Sequence, residues 1–201
     1  MPRSRAQTRE RLLVAALDVF ADEGFGRSTV EQVCERAGFS RGAFYSNFDS
    51  LDELFLAMWE QRSAAMLDGI RNAVTTAESD AATEPFDLDR AAARILAAIP
   101  VEDRWYRVTA EFTAHALRNP ELKPVMAARE SAIQATILPI VEAALGGAGR
   151  VVTDAQALCR ALVAVHDGTS VQVLMEPDDP RITRARVDLF VHVLRSYSEN
   201  D

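Results

Sequence analysis

The chain has 201 residues, 48% of them hydrophobic and 26% charged, with a formal net charge of −8. This composition is globular and excludes a disordered or fibrous chain. No stretch is apolar enough to cross a bilayer: the nearest, 155–175, is interrupted by Arg160, His166, Asp167 and Gln172. The opening MPRSRAQTRE has no apolar core, so no signal peptide is expected and the cytoplasm is the default compartment. Cys34 and Cys159 are far apart and fit no metal-ligand spacing, so both read as small buried hydrophobes. No metal and no cofactor are expected. The acidity is uneven. Residues 1–48 hold seven Arg and six acids, and Arg3, Arg5, Arg9 and Arg11 crowd the N-terminus, leaving all the acid excess to the remainder. A basic arm on an acidic body is compatible with nucleic acid, because phosphate contacts act over a short range at physiological salt.

In chain order the pattern is helical throughout, with Gly, Pro and Asn/Asp as punctuation. Residues 5–23 place Leu13, Ala16, Leu17 and Phe20 on one face, and Gly24 stops that helix. Ser28 or Thr29 caps a short second helix, with Glu31 or Gln32 completing a capping box, and Ala37-Gly38 ends it. Ser40 caps a third short helix over about 41–48. A long fourth runs from Ser50 or Leu51 to about 76, and polar 77–86 reads as a loop. Helices five and six are expected at 87–99 and 102–118. Asn119-Pro120 reads as cap and first turn of a seventh helix, which kinks at Pro139 and stops at the glycines after Leu145. Helix eight spans about 153–175. Asp179-Pro180 opens a ninth that ends near 198. No strand-like alternation and no internal repeat are found. The expected fold is all-α, about nine helices: a helix-turn-helix domain over 1–49, then a larger helical domain over 50–201.

The block 24–54, GFGRSTVEQVCERAGFSRGAFYSNFDSLDEL, closely resembles the DNA-binding signature of the TetR family of bacterial regulators. The matching positions are Gly24, Phe25, Thr29, Val30, Val33, Ala37, Gly38, Ser40, Gly42, Phe44, Tyr45, Phe48 and Leu54. The resemblance implies a homodimer that binds a palindromic site on double-stranded DNA and answers to a small-molecule effector. The family usually carries a Lys just before the fourth helix. Leu51 stands there, so the phosphate contact that such a Lys makes is missing or supplied elsewhere.

The physics of the motif stands beside the resemblance. Gly38 permits the tight turn, and Val30, Val33, Phe44 and Phe48 are spaced to pack the helix pair on helix one. Ser40, Arg41, Gly42, Ala43, Tyr45, Ser46 and Asn47 form the candidate DNA-facing set with Thr29. Arg41 suits bidentate contact with guanine, and small Gly42 and Ala43 allow close approach to bases. Tyr45 resembles the family's phosphate-contacting tyrosine. Asn47 is either a base or phosphate contact or a helix terminator. Thr29 and the N–H groups that follow it suit a phosphate. Arg3 and Arg5 can track the backbone or the minor groove.

In the body, Trp105, Phe112 and His115 share a face of helix six and, with Trp59, Met66 and Met126, are candidates to line an apolar effector pocket. Equally, an aromatic stripe at this spacing makes ordinary core. Helices eight and nine are apolar on two sides, which suggests a four-helix dimer interface through Leu162, Val165, Val187, Phe190, Val191 and Leu194. No nucleophile elbow, phosphate loop or HExxH pattern is present, so no enzyme is expected. The favoured reading is a repressor released by its ligand. A co-repressed regulator or activator, and a ligand-binding protein whose DNA head is vestigial, are the alternatives.

Overall fold

The computed structural model describes residues 5–81 and 87–201, with side chains given for 5–76 and 87–201. The expected all-α architecture is present. α1 (Arg5–Glu23) buries Leu12, Leu13, Ala16, Val19 and Phe20, and Gly24, at φ 85°, ends it. A short 3-10 turn (Phe25–Arg27) follows, then α2 (Val30–Ala37) and α3 (Arg41–Tyr45). Of the two capping boxes open to the sequence, Thr29 and Gln32 form theirs. Ser28 donates its hydroxyl to the Gly24 carbonyl at 2.8 Å instead. α3 stops three residues before 48. Its last carbonyls are taken by side chains, Ser46 Oγ on Gly42 O and Asn47 Nδ2 on Ala43 O, which compete with further helical turns.

α4 (Leu51–Ala81) runs five residues past the expected end. Nothing between 70 and 84 is Gly or Pro, and Thr75 and Thr76 bond back to the carbonyls of Arg71 and Asn72 without breaking the helix. The rest of the expected loop, 82–86, lies outside the described residues. α5 (Leu88–Ala97) is capped by Asp87. After α6 (Asp103–Arg118), Asn119 belongs to the end of that helix, its Nδ2 donating to His115 O at 2.8 Å. Accordingly α7 (Leu122–Gly147) begins later than the Asn-Pro pair suggested, and carries Pro139 in its interior. α8 (Ala155–Met175) and α9 (Pro180–Ser196) have the Asp154 and Asp179 caps.

One element was not expected. β1 (Arg150–Val152) and β2 (Ser198–Asn200) pair antiparallel, Arg150 opposite Asn200. Three residues a side are too few to show alternation. The pairing is fastened by the Arg150 guanidinium, which donates to Ser198 Oγ, Asn200 Oδ1 and Ser198 O at 2.8, 2.9 and 2.6 Å.

The chain forms two compact units. The first joins the stretch up to Ser63 with Glu102–Pro124, so α6 packs with α1 and the 3-10 turn. Its interior is aromatic: Phe20, Phe25, Phe44, Phe48, Phe55 and Phe112 are all buried. The second comprises Ala64–Val101 and Val125–Asp201. It holds an aliphatic core from the second half of α4 with α5, α7, α8 and α9, including Leu67, Leu96, Leu145, Leu158, Leu162 and Phe190.

Candidate nucleic-acid interface

The α2–α3 pair is built around one glycine. Gly38 sits at φ 70°, ψ 41°, a left-handed conformation that a side chain would strain. Phe39 N–H then reaches back to Cys34 O at 2.9 Å, closing the turn. Val33, Phe44 and Phe48 are at most 1% exposed. Burying them fixes which side of α3 faces out. Cys34 lies on the buried face with them, and burial, with Glu31 beside it, raises its thiol, so it remains an unreactive apolar group.

On the outer side stand Arg41, Gly42, Tyr45 and Ser46, with Ala43 and Asn47 half-buried. Tyr45 is 48% exposed although its ring packs edge-on against Phe44. A Cβ on Gly42 would meet only Ser40 Oγ, at 3.7 Å, so no packing within the chain demands glycine there. Asn47 closes the helix on Ala43, and its Oδ1 is buried without a partner among the described residues. Ser40 Oγ and Thr29 Oγ1 accept from Ala43 N and Gln32 N as helix caps. Thr29's own N–H is bound to Gln32 Oε1 at 2.8 Å. The N–H groups of Val30 and Glu31, in the first turn of α2, are therefore the donors left for an outside anion. Leu51 is half-buried at the start of α4.

Two features of this face escaped the sequence reading. Arg41 is ion-paired to Glu31 of α2 at 2.6 Å, although both side chains remain more than half exposed. The spacing 31–41 crosses the turn, so helical periodicity could not reveal it. The N-terminal arginines serve as a clasp. Arg5 donates to Ser46 O at 2.9 Å, Arg9 lies over the Phe48 ring, and Arg11 donates to Ala37 O at 2.7 Å while lying over Phe39. Arg3 lies outside the described residues.

The opposite side of this unit is held by α6. Arg104 pairs with Asp18 at 2.8 Å, Arg107 donates to Ala21 O at 3.0 Å, and Glu111 accepts the Phe25 N–H at 2.6 Å. Phe112 stacks on Phe55 with centroids 3.8 Å apart, and Phe25 meets Phe112 edge-on. His115 Nε2 lies 3.0 Å from Asp52 Oδ1. Of the six candidate effector residues, Trp59, Trp105 and Phe112 thus gather around Phe55 in the first unit, with His115 against Phe25 and Phe112. Phe112 is wholly buried there, and Trp59, Trp105 and His115 are partly so. Met66 and Met126 belong to the second unit, Met66 against its core.

The six candidate interface residues divide. Leu162, Phe190, Val191 and Leu194 are 2–6% exposed inside the second unit's own core, with Val165 and Val187 packed beside them. The stripe of α9 expected at the dimer interface thus faces the core of its own unit. The apolar groups that α8 and α9 turn outward are Met175, at 76% exposed, and Leu189, at 43%.

The model of "Bacterial regulatory proteins, tetR family" matches residues 12–58, and that of "BetI-type transcriptional repressor, C-terminal" matches 87–197, more than half of the chain. The protein belongs to the TetR family of transcriptional regulators, with a DNA-binding helix-turn-helix. Among curated relatives, the transcriptional activator FasR of Mycolicibacterium smegmatis is 35% identical over 72 residues, 36% of this chain and 33% of that protein. The match therefore spans about a third of the relative's length. The multidrug binding protein EbrR, solved with imidazole, superposes with a TM-score of 0.62 at 25% identity, covering 96% of this chain and 93% of that one. A TetR transcription regulator from Haloarcula marismortui shares the fold, with a TM-score of 0.71 at 15% identity over 96% and 100% of the two chains. Among the described residues, no helix is long and apolar enough to cross a membrane.

Proposed function

We propose that the protein is a cytoplasmic homodimeric repressor that reads an inverted-repeat operator with α3 and leaves it when a small molecule binds. The carrying observation is the presentation of Arg41, Gly42 and Tyr45 on the outer side of a helix whose inner side is locked by Phe44 and Phe48. Residues 1–49 act as the reading head and 50–201 as the effector and dimer body. Arg41 reads a guanine. Tyr45, Ser46 and the first turn of α2 position the head on phosphates. The twofold pairing uses α8 and α9 through their outward residues, Leu189 and Met175 foremost, and holds the two α3 helices roughly 34–36 Å apart, one DNA turn. Repression is supported by the description of the matched C-terminal family. Effector binding is supported by EbrR, a multidrug binding protein solved with imidazole. Trp59, Trp105, Phe112 and His115 of the first unit are the candidate wall, and α6, bonded to Phe25 and Asp18, carries its movement into the head. Such a switch works only if the ligand favours the DNA-free arrangement.

The test is a fluorescence-anisotropy titration on the DNA upstream of the protein's own gene, against scrambled DNA, at physiological salt. Tight, salt-sensitive binding to the upstream segment alone is expected. Equal weak binding to both would mean that the operator lies elsewhere or that the body, not the reading head, carries the function. The name of FasR, an activator, favours one second reading, in which the ligand strengthens DNA binding. The same titration with and without effector separates the two signs.

A further inference from the structure

Three arginines near the start of α1 bond to the helices that follow, and one of them stands where α2 turns into α3. Arg11 Nη2 donates to Ala37 O, in the last residue of α2, at 2.7 Å, and its guanidinium lies 4.9 Å from the centroid of the Phe39 ring. Between Ala37 and Phe39 is Gly38 in its left-handed conformation, and a Cβ there would come 3.4 Å from the same Nη2. One planar group therefore covers the whole turn.

Helix termination explains why the contact forms. The last carbonyls of an α-helix have no partner within it. Gly38 N–H takes those of Cys34 and Glu35, and Phe39 N–H shares that of Cys34. Ala37 O is met by Arg11, at the helix end where a cation is favoured.

α1 is a firm base for this brace. Its inner face, including Leu12, Leu13, Ala16 and Phe20, is buried, and Glu10 beside Arg11 accepts from Gln61 of α4 at 2.8 Å. The turn itself is pliable, because it pivots on a glycine between a half-buried Phe39 and the end of α2. α3 starts two residues beyond Phe39 and is only five residues long, so its direction follows from the angle at Gly38. Phe44 and Phe48 seat the inner side of α3, and Arg11 fixes the end from which it departs. A bidentate contact with a base edge depends on that direction, since hydrogen bonds weaken steeply when misaligned. The Arg11 guanidinium is engaged by a carbonyl and a ring of its own chain, unlike that of Arg41, whose side chain is 61% exposed on the outer side of α3.

We propose that Arg11 is a positioning residue for sequence reading: it braces the Gly38 turn against α1 and so sets the angle at which α3 presents Arg41 and Tyr45, without itself contacting phosphate. The proposal rests on the reading of α3 as the recognition helix.

The experiment uses the full chain and two duplexes, one selected by the wild-type protein from a random-sequence pool and one scrambled, titrated by fluorescence anisotropy at several salt concentrations. Arg11→Gln should weaken binding to the selected duplex about tenfold, as misalignment of one bidentate base contact would. Binding to the scrambled duplex should stay within about twofold, because phosphate contacts carry no sequence information. The salt slope should equal that of the wild type, since no phosphate contact is lost. Arg11→Lys keeps the charge and a donor but not the planar stack, and should recover only part of the discrimination. Phe39→Leu, which takes the ring from the guanidinium, should reproduce the loss, and the double variant should be little worse than either single one. In the free protein, amide hydrogen exchange should quicken at 39–46 in Arg11→Gln and stay unchanged in α1.

Equal losses on both duplexes, with a salt slope reduced by about one per subunit, would make Arg11 a phosphate contact and overturn the proposal. Unchanged discrimination by Arg11→Gln would do the same, as would additive losses in the double variant. If Arg11→Gln does not fold, wild-type discrimination by both Arg11→Lys and Phe39→Leu overturns it. A wild type that selects no sequence defeats the regulator reading alone. The exchange comparison needs no DNA, and unchanged rates at 39–46 in Arg11→Gln would remove the brace by themselves.

Discussion

At Arg41 the same guanidinium is offered to two acceptors. In the free protein it pairs with Glu31 at 2.6 Å, an exposed bridge that contributes little to stability. On DNA it must release that partner or share it with a base edge. Arg41→Ala should weaken operator binding about ten- to a hundredfold, in keeping with one bidentate base contact, and random DNA much less. Equal losses on both would leave Arg41 a phosphate contact. Glu31→Gln should tighten both DNAs severalfold and narrow the ratio between them, because it removes a negative charge from the phosphate side and frees Arg41 from its competitor. Anisotropy titrations at two salt concentrations measure both variants. The sequence made Arg41 legible through its position in the motif, but Glu31 was hidden because the two meet only across the Gly38 turn.

At the scale of elements, caps and apolar stripes specified most of the helices, and the errors have a common cause. Where a side chain bonds to nearby main chain, the boundary moved: Asn47 and Ser46 shorten α3, and Asn119 stays with α6. In α9 periodicity gives two apolar stripes but not what covers each: Val187, Phe190, Val191 and Leu194 pack in the core of the second unit, while Leu189, on the other stripe with Ile182 and Val193, is exposed. Leu189→Asp should therefore yield a folded monomer, with helical circular dichroism retained and half the mass by light scattering. Phe190→Asp should unfold the second unit instead. A Leu189→Asp protein that remains dimeric would exclude the outer face of α9. In α6, Phe112→Ala removes a ring stacked on Phe55 and touched by Phe25. It should destabilise the first unit by about 3–5 kcal/mol in denaturant titration. A loss below about 1 kcal/mol would mean that the stack can collapse without penalty.

For the molecule as a whole, stability should carry the signature of His166. Burial and the Arg186 guanidinium hold its imidazole down at about 4 in the fold, against 6.5 when exposed. The unfolded chain thus binds the extra proton first, and the stabilisation present above pH 6.5 is lost as pH falls toward 4, by about 3 kcal/mol. Glu130 and Asp167, raised by burial, work in the opposite direction as pH falls. Only the difference between wild type and His166→Gln isolates the histidine. That difference should be constant above pH 6.5, move against the wild type by about 3 kcal/mol between 6.5 and 4, and level off below, by urea unfolding across this range. A flat difference would place the imidazole in water. The first compact unit has a further bearing on how such regulators can be recombined. Its core is contributed by two stretches of chain, the first ending at Ser63 and the second containing α6. A chimaera spliced after residue 49 would take the reading head from its own α6 and leave Phe25 and Phe20 to pack against a foreign helix. Functional hybrids should therefore be recovered when α6 travels with the head, so inheritance of DNA specificity is tied to residues more than fifty positions beyond the motif that reads it.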